Sequence, residues 1–175
     1  MNSNSYPIFP VNISRRSPIT ISKGEYVHHP IHGIGHVQSI RKRSFSGEPP
    51  TTFAKVYFKR EELTLLLREQ DLDETVRKPI SASEAKKLIS HLESWDGKVR
   101  AGWKARANAN QMALEGGNPF DYVEVYAGLR KLEADGALRA ADRQHMNKSL
   151  DLLVEELSNA LGNTPEQARQ KLASV

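Results

Sequence analysis

Four histidines fall close together, His28, His29, His32 and His36, and neutral imidazoles are the commonest partners of zinc outside thiolates. Their spacing argues against one shared ion. Consecutive His28 and His29 point to opposite faces of a strand, and Glu25 is the only acid close by in the chain. The other reading is a strand–turn–strand in which Pro30, Gly33 and Gly35 shape the turn. In that arrangement the imidazoles face water or bond backbone. No serine, acid and histidine spacing suggests nucleophilic catalysis. The sequence contains no cysteine, so it has no thiol nucleophile, disulfide, Cys-ligated zinc or iron–sulfur cluster. No catalytic, metal-ligating or cofactor-binding residue is assigned, and the chain reads as a non-enzyme.

The second group is "DGKVRAGWKARANANQ", residues 96 to 111. Here Trp103 stands among Lys98, Arg100, Lys104 and Arg106 with almost no large apolar neighbours. The formal net charge is +4, and after residue 80 thirteen Lys and Arg balance thirteen Asp and Glu. Four cations without an acid from 98 to 106 are therefore a local patch, suited to a limited anionic surface. The alternatives are an ordinary solvated helix face for the cations and a helix–helix seam for the indole. Projected as a helix, Arg100, Trp103, Arg106, Ala107 and Asn110 share one face with Lys104 beside it, while Ala105, Ala109 and Met112 are spaced for a core.

Two kinds of element must position these groups. Residues 1 to 20, rich in Asn and Ser with three prolines, read as a flexible tail. From 21 to 79 short β-branched and aromatic runs, "GEYVHHP", "GHVQSIRKRSF", "TTFAKVYFK" and "ELTLLL", alternate with turn chemistry. Val37 and Ile40 break strict alternation, which predicts a bulge. Four or five such strands fit a small Tudor- or SH3-like barrel. From 80 to 175 the periodicity is helical and predicts about five helices. Ser81 and Glu84 form a capping box before Leu88, Ile89 and Leu92. A helix follows from about Lys98 to Glu115, stopped at Gly116-Gly117. Pro119 opens the next, with Tyr122, Val123, Val125, Tyr126, Leu129 and Leu132 as its stripe. Met146, Leu150, Leu153, Leu157 and Leu161 mark a long helix ended by Gly162, and Thr164-Pro165 begins the last. The fold class is α+β with two domains. The densest apolar run, "LTLLL", is far too short to cross a bilayer, and the N-terminus does not read as a signal peptide. A cytoplasmic location without membrane contact is expected.

These segments together resemble the CarD family of bacterial transcription regulators. "KGEYVHHPIHGIGHVQSI" is similar to its opening strand and turn, with Val27, Pro30, His32, Gly33 and Gly35 matching and His29 where Tyr is usual. Gly47 fits the next turn, "FAKVYF" and "ELTLLL" the following strands, and Arg68 replaces a proline. Trp103, Arg106 and Asn110 match the pattern N-W-x-R-R-x-x-x-N, with Gly102 and Ala105 as departures. "NPFDYVEVYAGLRKL" and "RQHMNKSLDLLVEELSNAL" resemble its later helices, so the likeness runs from about 22 to 161. It implies a barrel that binds the RNA polymerase β subunit through an exposed strand edge, with Arg43, Lys55 and Leu66 at the contact. Leu66 stands where the family carries a basic residue. It implies further that Trp103 wedges into promoter DNA at the upstream fork of the bubble, with Lys98, Arg100, Lys104 and Arg106 on phosphates. The open complex is then stabilised. The alternative is an adaptor that binds polymerase without touching DNA.

Overall fold

A computed structural model describes residues 19–175. The expected tail of residues 1 to 20 lies, except for its last two residues, outside them.

Four strands come first: β1 (Tyr26–His29), β2 (Gly33–Arg43), β3 (Thr51–Phe58) and β4 (Leu63–Arg68). They pair antiparallel in the order β1-β2-β3-β4. The pairing slips between Val37 and Ser39, the bulge that the broken alternation predicts. Past it, Ile40 still faces the apolar side, packed with Ile21, Leu63, Leu65 and Leu67 around buried Val27, Val37, Ala54, Val56 and Phe58. Among the described residues the expected closed barrel is not formed, because β1 and β4 do not pair and the sheet stays open. Its apolar face is covered by Leu72 and Val76 from the segment after β4, which includes the four-residue helix α1 (Leu72–Thr75). Arg77 then adds a single bridge to the free edge of β1, exchanging two backbone hydrogen bonds of 2.8 and 2.9 Å with His28.

Five further helices follow: α2 (Ala82–Glu93), α3 (Trp103–Glu115), α4 (Pro119–Ala134), α5 (Ala140–Leu161) and α6 (Pro165–Ala173). The caps expected at Ser81 and Thr164 are present. Ser81 and Glu84 close a capping box on α2, Asn118 accepts from the Phe120 N–H at 3.1 Å, and Thr164 and Gln167 cap α6. Leu88, Ile89, Leu92, Tyr122, Val123, Leu129, Leu153 and Leu157 meet in a second apolar cluster. With the sheet, these helices make the chain α+β.

One expected element is shorter. α3 begins at Trp103 rather than near Lys98, so residues 96 to 102 are a connection. Trp95 holds it. Its indole N–H donates to Glu124 at 2.8 Å, and its ring lies so close over Gly97 that a Cβ there would come within 2.7 Å. The chain thus crosses α4 before turning into α3 at Gly102. Met112, placed by spacing in the core, is 73% exposed.

The sheet and the helices meet through polar groups. Glu155 accepts from the Ile34 N–H at 2.9 Å and pairs with Arg60 at 3.3 Å. A Cβ on Gly33 would stand 1.9 Å from the same carboxylate, so that glycine makes room for the helix as well as the turn, at a φ of 76°. Behind it His28 is fully buried, with Nε2 3.4 Å from the Tyr122 hydroxyl and 3.5 Å from Glu156. Burial pushes the imidazole down to about 2, so it is neutral. Arg77 donates to Glu156 and, through Nε, to the Gly117 carbonyl at 2.7 Å. The Ile80 N–H donates to Glu156 at 3.1 Å. Burial raises the Glu156 carboxyl above the usual range, with Arg77 pulling the other way.

Candidate nucleic-acid interface

Trp103 opens α3 and is 44% exposed. Lys104 Nζ lies 5.5 Å from the centre of its ring. Arg139 Cζ, from the turn between α4 and α5, lies 5.6 Å away on the same side chain. Both separations suit cation–π attraction. Lys98, Arg100, Lys104 and Arg139 are exposed, and none of them belongs to an ion pair among the described residues. α3 has no side-chain cap and no acid in its first turn, so the positive end of the helix adds to the same surface.

Arg106 is not part of that surface, and the phosphate contact expected of it is corrected. It is 5% exposed. Its Nε and Nη2 donate to the two carboxylate oxygens of Asp142 at 2.9 and 2.7 Å, the bidentate geometry that favours arginine over lysine. Its Nη1 donates to the Arg100 carbonyl at 2.7 Å. The guanidinium holds the Asp142 carboxyl below the usual carboxylate range, and the pair stays ionised. Asp142 also accepts from the Arg139 N–H at 3.3 Å. One buried pair therefore fastens the connection before α3, α3 itself and the start of α5. Arg106 positions the site instead of touching a partner. The helical projection could not place it, because the pull of Asp142 on α5 is not visible in the spacing along α3.

Arg139 and Trp95 carry parts of this arrangement that spacing along 96 to 111 did not reveal. Arg139 is thirty-six positions from Trp103 in the chain, and only the crossing of α3 over the α4–α5 turn brings them together. A signal for it was present: Gly136 ends α4 at a φ of 69°, and the Ala137 N–H donates to the Leu132 carbonyl at 2.8 Å, a tight cap that fixes where residue 139 emerges.

On the sheet, Lys55 and Leu66 are cross-strand partners, and Arg43 pairs with Thr51. Since residues alternate along β3, Thr51, Phe53, Lys55 and Tyr57 share the face opposite buried Ala54, Val56 and Phe58. Arg43, Lys55 and Leu66 thus lie on one face, together with Arg41 and Arg68, both opposite Phe53. Leu66 is 41% exposed. None of the four cations is in an ion pair among the described residues. Among the described residues β4 pairs only with β3, which leaves an edge on this side of the sheet.

The histidines hold no cluster with the makeup of a metal site among the described residues. His29 Nδ1 accepts from the Ile31 N–H at 3.1 Å, closing the turn as the backbone-bonding reading has it. His28 departs from both readings, being sealed inside.

Residues 87–173 match the family described as CarD, C-terminal domain. A curated relative, "Putative transcription factor YdeB" of Bacillus subtilis (strain 168), is 21% identical over 147 residues, covering 83% of this chain and 95% of that protein. Together the two findings support a CarD-like family. Both findings support a role in transcription regulation rather than an enzymatic one. The CarD match takes in Trp103, the cations around it, Arg106 and Asp142, while the sheet with Arg43, Lys55 and Leu66 lies before it. No helix among the described residues of this CarD-like chain is long and apolar enough to cross a membrane.

Proposed function

We propose that the chain is a non-enzymatic transcription regulator that docks on the RNA polymerase β subunit through residues 21–79, a Tudor-like module, and contacts promoter DNA through residues 80–175. The observation that carries this reading is the half-exposed Trp103 indole flanked by Lys104 and Arg139, with exposed Lys98 and Arg100 on the connection before it and none of the four in an ion pair among the described residues. An apolar wedge in the minor groove unstacks a base step, and the cost is offset by wider contact. Cations supply attachment that depends on salt and not on sequence. An aromatic face stacks on any base, so no sequence code is needed. Lodged at the upstream fork of the bubble, the wedge slows reannealing and stabilises the open complex. The cationic sheet face with Arg43, Lys55 and exposed Leu66, next to the free β4 edge, suits a protein partner that pairs strand to strand. Tethering to polymerase raises the effective concentration of the wedge, so the DNA contact itself is weak. The protein then works in the cytoplasm, on the nucleoid, wherever polymerase opens promoters.

Burial of Arg106 removes one expected phosphate contact, and it favours the second reading, an adaptor that binds polymerase without DNA. Two measurements separate them. Isolated full-length protein is expected to bind fork-junction DNA weakly and to lose binding as salt rises. The adaptor reading predicts no binding at low salt, and nanomolar affinity for a defined duplex without polymerase contradicts both. Binding to a purified β-subunit lobe is expected to fall about ten-fold for Arg43→Glu, the order expected of a reversed charge at an interface. Unchanged lobe binding by Arg43→Glu combined with Lys55→Glu removes the sheet face from the contact.

A further inference from the structure

We infer that Arg139 is a DNA-contacting residue, placed by the α4–α5 turn so that its guanidinium braces the Trp103 indole and reaches the phosphate beside it. The inference rests on the reading of Trp103 as a wedge in promoter DNA. Its own support is separate.

The position of Arg139 is the first argument. It is the N-cap residue of α5, where Ser, Thr, Asp or Asn would satisfy a free N–H and where a cation faces the positive end of a twenty-two-residue helix. Arginine there breaks a local rule, and such breaks concentrate at functional positions. Among the described residues no acid pairs with its side chain. Glu133, near the end of α4, is taken by Arg143 at 3.2 Å, and Asp142 by Arg106. Asp142 meets Arg139 only at the backbone N–H, 3.3 Å away, which anchors the main chain and leaves the guanidinium exposed.

Its geometry is the second. The carboxylate that anchors Arg139 is the one that holds Arg106, and Arg106 holds the connection leading into Trp103. The main chains that carry the indole and the guanidinium are therefore tied to the same carboxylate. Between them lies a crevice of about 230 Å³ walled by Val99, Leu132 and Ala137. A planar guanidinium stacks on an aromatic face while keeping its donors at the rim for phosphate oxygens, which an ammonium cannot do. Lys104 from α3 and Arg139 from the α4–α5 turn thus both lie against the wedge, and Arg100 lines the crevice beside them.

The test measures open-complex lifetime with polymerase over a series of salt concentrations. It uses full-length wild type, Arg139→Ala, Arg139→Lys, Trp103→Ala and, as a control outside the patch, Arg169→Ala, whose side chain pairs with Asp151. Melting curves confirm folding. Loss of one phosphate contact lowers the slope of log affinity against log salt by about one and weakens binding by roughly five-fold at moderate salt. Arg139→Ala is expected to show both, Arg139→Lys to keep the slope with a shorter lifetime, and Arg169→Ala to show neither. If Trp103→Ala shortens the lifetime while Arg139→Ala leaves lifetime and slope at wild-type values, the contact assigned to Arg139 is wrong and the wedge stands. If Trp103→Ala has no effect either, the wedge reading fails and takes this inference with it. A folded Arg139→Ala protein that loses lifetime with an unchanged slope makes Arg139 a packing residue only, which also overturns the phosphate contact.

Discussion

Trp103 and Arg106 stand three residues apart on one helix in opposite environments: the indole is 44% exposed and the guanidinium only 5%. Asp142 is the cause. Its two oxygens draw Arg106 beneath the helix at 2.9 and 2.7 Å, and the third donor of Arg106 seizes the Arg100 carbonyl. The residue that looks most like a phosphate ligand is what holds the apolar one in the open.

Removing one member of that pair leaves the other charged and buried. Arg106→Ala is expected to destabilise the protein by about 3–5 kcal/mol, read as a lower urea midpoint. Met112→Ala on the same helix, 73% exposed, is expected to change stability by less than about 0.5 kcal/mol. Equal effects of the two substitutions would contradict the positioning role of Arg106.

Gly33 faces the Glu155 carboxylate, which a Cβ would meet at 1.9 Å, whereas Gly47 at a φ of 84° has open space around it. Alanine at either site incurs the left-handed backbone cost of about 1–2 kcal/mol. Gly33→Ala must in addition displace the acceptor of the Ile34 N–H. It is expected to cost about 1 kcal/mol more than Gly47→Ala, measured by chemical denaturation. Equal losses would mean that the sheet does not seat on α5 through this turn.

The elements themselves were readable in the sequence wherever a local rule acts alone. The Ser81–Glu84 box, Pro119 and Thr164-Pro165 mark helix starts because capping is decided within four residues. The Val37–Ile40 break marks the bulge because alternation is local too. The start of α3 was not readable, since it depends on Trp95 packing over Gly97 and bonding Glu124 twenty-nine residues away. Barrel closure was not readable either, because strand composition does not say whether β1 meets β4. For the site, residue types gave the indole and its flanking cations. Burial of Arg106 and arrival of Arg139 are tertiary events, set by how α5 crosses α3.

His28 supplies a pH dependence of defined sign. Its folded-state value is lowered from 6.5 to about 2 by burial, so the unfolded chain takes up a proton that the folded chain refuses. Stability from this group is complete above 6.5 and is lost as the pH falls toward 2. Glu155 and Glu156, raised by burial, act in the opposite sense, so the difference between proteins is the informative quantity. Between pH 6 and 5 the wild type is expected to lose up to about 1.4 kcal/mol more per pH unit than His28→Gln. Parallel stability curves for the two would show that His28 is protonated in the folded state.

Leu66 offers a gain rather than a loss. It lies directly across from Lys55 on the cationic face, where a further cation strengthens attraction to an acidic partner. Leu66→Arg is expected to tighten binding to the polymerase β lobe by roughly two- to five-fold and to make it more sensitive to salt, the scale of a rim charge. Weaker binding at low salt would mean that the exposed apolar side chain is itself the contact.

The central claim is most directly tested by the lifetime of the promoter open complex after competitor challenge, with wild type and Trp103→Ala compared at equal occupancy of polymerase. The account predicts that Trp103→Ala folds, binds the β lobe as wild type does, and returns the complex to the lifetime seen without the protein. A Trp103→Ala protein that prolongs the open complex as well as wild type would contradict it.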